Sequence, residues 1–320
     1  MAEYPEENTI SVVIPVYRSE KTLDPLYEEV VRVADGNEYD YEIIFVEDCG
    51  GDDSWEVIER LVRKDKRVTG IKLARNYGQH NALLCGIRQA KGKYVVTIDD
   101  DLQNPPSEIP KLIDKINEGY DVVYGSPKKE QHGIFRDFAS KVTKITLGKS
   151  MGANTAEKVS AFRVFRTNLR EAFSGYRSPT VNIDVLLTWG TAKFTSIKVE
   201  HGQRMEGESG YSFHKLVTHA FNMMTGFSVL PLQMASILGF IFSGMGLVSL
   251  LYVLGRYIVD GSSVPGFPFL ASLISIFSGV QLFTLGIFGE YLARMHFRSM
   301  EKPPYAVACI ATDRPSDNSV

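Results

Sequence analysis

The chain has 320 residues and a formal net charge of −3. That length allows one large domain with an appendage, and the charge argues against a polyanion such as nucleic acid as a partner. Three cysteines, Cys49, Cys85 and Cys309, lie far apart at no metal-ligand spacing, and their odd number argues against a disulfide framework. A reducing cytosolic environment fits them, the six histidines are scattered along the chain, and the acidic start, with no apolar stretch, does not read as a signal peptide.

Residues 10–125 alternate strand and helix. The predicted strands are 10–17, 41–46, 68–73, 94–98 and 121–124. The predicted helices are 23–34, 54–63, 78–89 and 108–117. The strands are short, β-branched and nearly all apolar, as in a parallel sheet covered on both faces. The alternation predicts a doubly wound α/β domain, in which ligands bind at the carboxyl ends of strands.

Polar motifs occupy those ends: Pro15-Val-Tyr17, then Glu47-Asp-Cys-Gly-Gly-Asp-Asp53, then Ala74-Arg-Asn-Tyr-Gly-Gln-His80, then Asp99-Asp-Asp-Leu-Gln103. The last is the most specific. Three adjacent carboxylates repel one another, and a hard divalent cation relieves the repulsion. Mg²⁺ is usually held by one or two carboxylates together with substrate phosphates, so the motif suggests a site for a metal-bound diphosphate. On these residues alone, loop and helix-capping acids explain it equally well. Asp52 and Asp53 read as helix-capping residues, whereas Asp48, at the strand end itself, is expected to face the crevice.

Residues 126–200 are less regular. Lys128, Lys129, Arg136, Lys141 and Lys144 form a basic stretch. Residues 159–165 read as a strand carrying Arg163, and 194–199 as another. A glycine-rich loop with Arg204 runs from His201 to Tyr211. Taken singly, each cation reads as a solvated surface charge. As a group they lie between a diphosphate site and an apolar region.

Mean hydropathy is −0.08, yet residues 231–257 contain only the charge of Arg256 and residues 267–289 contain none. A span needs about 20 mostly apolar residues. Both segments are apolar on every face, which disfavours core helices. They read as a transmembrane hairpin joined by a turn-rich linker. Before it, Phe213, Leu216, Val217, Ala220, Phe221, Met224 and Phe227 follow a helical rhythm, predicting an interfacial amphipathic helix over 211–229. Arg204 and Lys215 before the spans, with Arg294, Arg298 and Lys302 after them, place both termini and the N-terminal α/β domain on the cytosolic side of the inner (cytoplasmic) membrane by expectation, with the linker outside. Arg256 opposes this weakly. Gly239-x-x-x-Ser243 and Ser275-x-x-x-Gly279 permit helix packing, within one hairpin or in a homo-oligomer. The chain is polar after Tyr305 and is expected to be disordered there.

With these motifs in view, residues 10–305 resemble glycosyltransferase family 2. More narrowly, they resemble the polyprenyl-phosphate glycosyltransferases, including dolichol-phosphate mannose synthases and bacterial undecaprenyl-phosphate glucosyl- and aminoarabinosyltransferases. Val12-Val-Ile-Pro-Val-Tyr17 resembles the family's opening strand, and Asp48 its nucleoside-binding acid. Arg75-Asn-Tyr-Gly-Gln-His80 resembles the aminoarabinosyl branch, and Asp99-Asp-Asp-Leu-Gln-Asn-Pro-Pro106 the family's metal motif. Arg136 with Ser140, Arg163, and Arg204 with Gly207-Glu-Ser209 resemble later motifs, as do the hairpin and Pro303-x-Tyr305. The chain departs from the family at Arg18-Ser19, where Asn-Glu is common, and at Asp48-Cys49-Gly50, where Asp-Gly-Ser is common. Pro127 and Lys128 also replace arginines found in the mannose and aminoarabinosyl branches respectively.

The resemblance implies a GT-A catalytic domain over 1–210, the interfacial helix, two transmembrane helices within 230–292 and a cytosolic tail from 293. It implies inverting, metal-dependent transfer from a nucleotide-sugar, a UDP-sugar by expectation, to a polyprenyl phosphate. Mg²⁺ or Mn²⁺ is expected on Asp99, Asp101 and Gln103, and the nucleotide-sugar on Pro15, Tyr17, Asp48, Arg75 and Asp100. Lys128, Arg136, Arg163, Arg204 and Ser209 are expected at the acceptor phosphate, with Asp99, Asp101, Arg136, Arg163 and Arg204 carrying catalysis. A processive polysaccharide synthase on the same fold is disfavoured, because neither Trp55 nor Trp189 follows an arginine as that group's Gln-x-x-Arg-Trp motif requires. A catalytically dead nucleotide-binding scaffold is disfavoured by the intact Asp99-x-Asp101 pair and the basic group.

Overall fold

The computed structural model describes residues 9–127, 159–202, 230–260 and 266–313. It divides into two units. One comprises Met1–Leu216 with Glu301–Val320, and the other Val217–Met300.

The first unit is built on a sheet of eight strands in the order β7-β5-β6-β4-β1-β2-β3-β8. β1 (Thr9–Val16) lies between β2 (Asp40–Glu47) and β4 (Tyr94–Thr97), and β3 (Val68–Leu73) flanks β2, all parallel. β5 (Val122–Pro127) and β7 (Phe194–Val199) are parallel to each other, and β6 (Arg163–Arg166) runs antiparallel between β4 and β5. The predicted strands are all present within a few residues, with β6 shorter than expected. The sequence order makes β1 the switch point, with chain entering on either side, which opens a crevice beyond its carboxyl end.

Every residue of β1 is buried, and its side chains alternate between two covered faces. Ile10, Val12 and Ile14 join a core made with helices α1 (Leu23–Gly36), α2 (Ser54–Lys64) and α4 (Ile109–Asn117), through Leu26, Ile58 and Leu112. The opposite face takes α3 (Gln79–Gln89) at close range. A Cβ on Gly86 would lie 2.4 Å from Val13 Cγ1, so only glycine fits there. The fourth predicted helix begins as a 3-10 turn over Pro106–Glu108 before α4 proper.

Two features differ from expectation. Helix α5 (Ile183–Gly190) lies in a region read as irregular, and its cap is visible in the sequence: Asn182 Oδ1 accepts the Val185 amide at 3.1 Å. The disorder expected after Tyr305 is overturned for Val307–Thr312, which forms β8, antiparallel to β3 at the sheet edge. The tail expected from residue 293 therefore contributes a strand to the catalytic sheet.

The second unit contains α6 (Leu230–Asp260) and α7 (Phe267–Ser299). Within them Leu232–Arg256 and Ile276–His296 are long and apolar enough to cross a membrane, and none of either window is buried. Phe240 is 85 % exposed and Ile258 79 %, which is contrary to a soluble core helix. Phe242 and Phe277 meet edge to face at 6.2 Å, and Gly246 admits Phe277 closely. A Cβ on Gly239 or Gly279 would meet nothing within 4 Å. The predicted interfacial helix and most of the interspan linker lie outside the described residues.

Candidate active site

The carboxyl ends of β1, β2, β3 and β4 enclose a cavity of ≈ 270 Å³. It is lined by Pro15, Val16 and Tyr17 at the end of β1, Asp48 after β2, Asn76, Gly78 and Gln79 before and at the start of α3, and Asp99, Asp100 and Asp101 after β4. Sequence separations of more than 80 residues thus collapse into one crevice, through the parallel pairing of β1 with β2 and β4.

Asp48 is 3 % exposed. Its two carboxylate oxygens accept the backbone amides of Tyr77 and Gly78, each at 2.7 Å. Burial raises its pKa, and the two amides and Glu47 modify that shift without reversing it. Gly78 adopts φ +94, a conformation that glycine tolerates best. Cys49 takes φ 55, in the position where the resembling family commonly carries glycine. Gly50 packs so tightly that a Cβ would lie 2.8 Å from the Arg18 amide nitrogen. The departures at Arg18-Ser19 are built into this turn: Arg18 Nε donates to Gly50 O at 3.0 Å, and Ser19 Oγ to Asp100.

The three adjacent acids take different partners. Asp99 Oδ1 accepts Gln79 Nε2 at 2.6 Å. Asp100 Oδ2 accepts the Tyr17 amide at 2.9 Å and Ser19 Oγ at 2.5 Å, which joins the β4 loop to the β1 loop. Burial raises the Asp100 pKa, opposed by those two bonds and reinforced by Asp101. Asp101 Oδ1 accepts the Gln103 amide at 3.1 Å within the loop. The repulsion inferred from the sequence is thus relieved in part by divergent side chains.

Among the described residues, no three His, Cys, Asp or Glu side chains are grouped to hold a metal by themselves. Asp99 and Asp101 both line the cavity and offer hard oxygen donors. Two carboxylates leaving the remaining positions to phosphate and water fit Mg²⁺ or Mn²⁺. Gln103 belongs to the same loop but is not among the cavity-lining residues.

The cations are distributed differently. Arg75 is exposed, its guanidinium 4.7 Å from the Tyr77 ring centroid. Arg163, by contrast, is 1 % exposed. Its Nη1 is ion-paired with Asp184, its Nε donates to Thr97 Oγ1 at 3.1 Å, and Tyr124 Oη donates to the same Asp184 at 2.9 Å. Burial, followed by Asp184, holds the Tyr124 hydroxyl well above its ordinary pKa. The placement of Arg163 therefore runs against the expectation that it meets the acceptor phosphate, because its guanidinium is spent inside the protein. Lys128, Arg136, Arg204 and Ser209 lie outside the described residues. The chain leading to Arg204 is tied to the acidic loop, since the Gly202 amide donates to Gln103 O at 2.7 Å and His201 Nδ1 lies 3.3 Å from Asn104 Oδ1.

Gln79 and Ser19 hold Asp99 and Asp100, roles that the motifs containing them do not announce. Their signal is position alone, in the loops after β3 and β1. The helix-capping reading of Asp52 and Asp53 holds only in place: Asp53 occupies the cap of α2 without a side-chain capping bond. Asp52 Oδ2 instead accepts Ser54 Oγ at 2.7 Å and the Glu20 amide at 3.3 Å.

The mostly parallel sheet, with β6 antiparallel within it and an acidic crevice at its switch point, has the GT-A fold. The same fold occurs in glucosyl-3-phosphoglycerate synthase from Mycobacterium tuberculosis, solved with Mn²⁺, UDP-glucose and phosphoglyceric acid. The match has a TM-score of 0.51 at 18 % identity and covers 68 % of this chain and 78 % of that one. The family model described as Glycosyl transferase family 2 matches residues 11–174, and the chain belongs to that family. Among curated relatives, undecaprenyl-phosphate 4-deoxy-4-formamido-L-arabinose transferase of Proteus mirabilis (strain HI4320) is 32 % identical over 99 % of both chains. The protein of the same name from Shewanella sediminis (strain HAW-EB3) is 34 % identical over 93 % of this chain and 91 % of its own. The chain is an enzyme, a glycosyltransferase.

Proposed function

We propose that the chain transfers a sugar from a UDP-sugar to the phosphate of a polyprenyl lipid, undecaprenyl phosphate, at the cytosolic face of a membrane. The observation that carries this reading is the joint presence of the Asp48/Asp99/Asp101 crevice and two exposed apolar helices in one chain. The near full-length similarity to undecaprenyl-phosphate transferases supports the acceptor.

The nucleoside takes the side of the crevice lined by Pro15, Tyr17 and Asp48. The diphosphate lies toward Asp99 and Asp101, with Arg75 available from the rim. Mg²⁺ or Mn²⁺ on Asp99 and Asp101 supplies charge neutralisation for the departing diphosphate. Asp100 keeps the β1 and β4 loops in register rather than holding the cation. Lys128, Arg136, Arg204 and Ser209 hold the acceptor phosphate, and we leave Arg163 out of that group.

A lipid monophosphate has a second pKa of about 6, so it is largely a dianion at neutral pH. Its oxygen attacks the anomeric carbon with inversion, and no strong general base is required. Catalysis rests on positioning and on charge arranged around two anions. The spans keep the chain at the membrane in which the acceptor's prenyl tail lies.

The test is a panel of nucleotide sugars offered with undecaprenyl phosphate in detergent. One or more should yield a glycosylated lipid, and EDTA should abolish the product. Asp101→Asn should lower turnover by about two orders of magnitude or more with an unchanged melting temperature. Full activity in EDTA would remove the metal from the proposal.

A further inference from the structure

The segment that follows the second apolar helix returns to the catalytic sheet beside the crevice. Ala306 O accepts the Ala74 amide at 2.9 Å, which extends the β3–β8 ladder to the start of the loop before α3. Pro304 O accepts Asn81 Nδ2 at 2.6 Å, and the same amide group also donates to Pro179 O at 3.0 Å. Tyr305 Oη accepts Arg88 Nη1 at 3.3 Å about two turns further along the same face of α3, and its side chain meets Cys85. Asn81 is 6 % exposed, so these bonds are made away from water, where a missing partner is costly.

The other end of the same short stretch carries the site. The Tyr77 and Gly78 amides hold Asp48, Gln79 holds Asp99, and the Asn81 amide donates to Gly78 O at 3.0 Å. Residues 74–81 are therefore clamped from two sides. Asp48 and Asp99 fix the inner side, and the 304–306 backbone fixes the outer side. The loop contains Gly78 in the left-handed region, and nothing in its own sequence makes it rigid.

We propose that Pro304, Tyr305 and Ala306 are a positioning element of the active site, and that Asn81 is the residue through which they act. They hold the 74–78 loop and the first turn of α3 so that the Tyr77 and Gly78 amides meet Asp48 and Gln79 meets Asp99. None of these groups touches the reacting atoms. The expected consequence falls on the donor side of the crevice and leaves the acceptor side alone. The inference rests on the proposed donor site for its binding consequence, but its structural part does not.

The experiment uses the full-length protein in detergent, as Asn81→Ala and Tyr305→Phe, with two readouts. Hydrogen exchange at the Tyr77 and Gly78 amides should accelerate roughly fivefold, the equivalent of one lost buried hydrogen bond, while β1 amides stay protected. UDP affinity in Mn²⁺, by calorimetry, should fall by a comparable factor with the KM for lipid phosphate unchanged. Unchanged protection at Tyr77 and Gly78 in both variants overturns the proposal. Faster exchange with unaltered UDP affinity also overturns it, since the segment would then be structural only. If Asn81→Ala loses protection everywhere, Tyr305→Phe decides. If the unmodified protein binds no UDP, the donor reading fails by itself and the exchange data decide the clamp.

Discussion

Three carboxylates of this crevice are held by backbone amides rather than by cations, Asp101 by the Gln103 amide of its own loop. Asp48 accepts Tyr77 and Gly78, and Asp100 accepts Tyr17. Such bonds to a charged acceptor are stronger than neutral ones and fix loops from four strands around one cavity. Arg163 is the opposite case, a cation locked into the interior by Asp184 and Thr97. Removing one partner of a buried pair leaves the other charge uncompensated, at a cost of about 3–5 kcal/mol. Arg163→Ala should therefore lower the melting temperature sharply, while the KM for the acceptor lipid in the protein that remains folded stays the same. A selective rise in acceptor KM with normal thermal stability would return Arg163 to the acceptor site. The acidic motif was legible as a site because charge concentrated at one strand end is rare. The Arg163–Asp184 pair was not legible, because an arginine in a strand gives no sign of its partner until the partner's helix is known.

At the level of elements, periodicity located the first four strands and the helices between them, because each is locally apolar with polar boundaries. β8 escaped this reading. Val-Ala-Cys-Ile-Ala-Thr is short, follows two prolines, and pairs with β3 across most of the chain's length, so its order comes from a partner and not from its own pattern. α5 was overlooked although Asn182 marks its start. The joint between α1, α2 and β3 offers a test of the packing. Burial pushes the Asp65 carboxyl up, but hydrogen bonds from the Arg67 side chain, the Arg67 amide and Tyr27 outweigh it and hold its pKa below the usual value. A depressed folded-state pKa stabilises the fold above the unfolded value, about 3.9, and that contribution is lost as pH falls through the folded value. The melting-temperature difference between wild type and Asp65→Asn should be positive at pH 7 and shrink as pH drops through the carboxylate range. A difference independent of pH would show that the ionised Asp65 contributes nothing.

For the whole molecule, the second unit carries the proposal that the chemistry takes place at a membrane. Side chains such as Phe240 and Ile258 stand exposed along α6, and burying such surface in lipid is strongly favourable. Arg294 and Lys302 follow the second apolar window, which favours a cytosolic position for that end. Ser262→Cys, in the linker, should then be labelled from outside intact cells by an impermeant thiol reagent, after the native cysteines are replaced. Labelling only after permeabilisation would reverse the topology.

In the proposed reaction a lipid phosphate oxygen attacks the anomeric carbon and expels the nucleoside diphosphate intact. Mass spectrometry of a complete reaction, with a UDP-sugar that the enzyme accepts and undecaprenyl phosphate, reads this out. The expected product is a lipid heavier by one sugar residue, still carrying a single phosphate, with UDP released in equal amount. A lipid pyrophosphate accompanied by UMP would contradict it, because the attack would then have fallen on phosphorus.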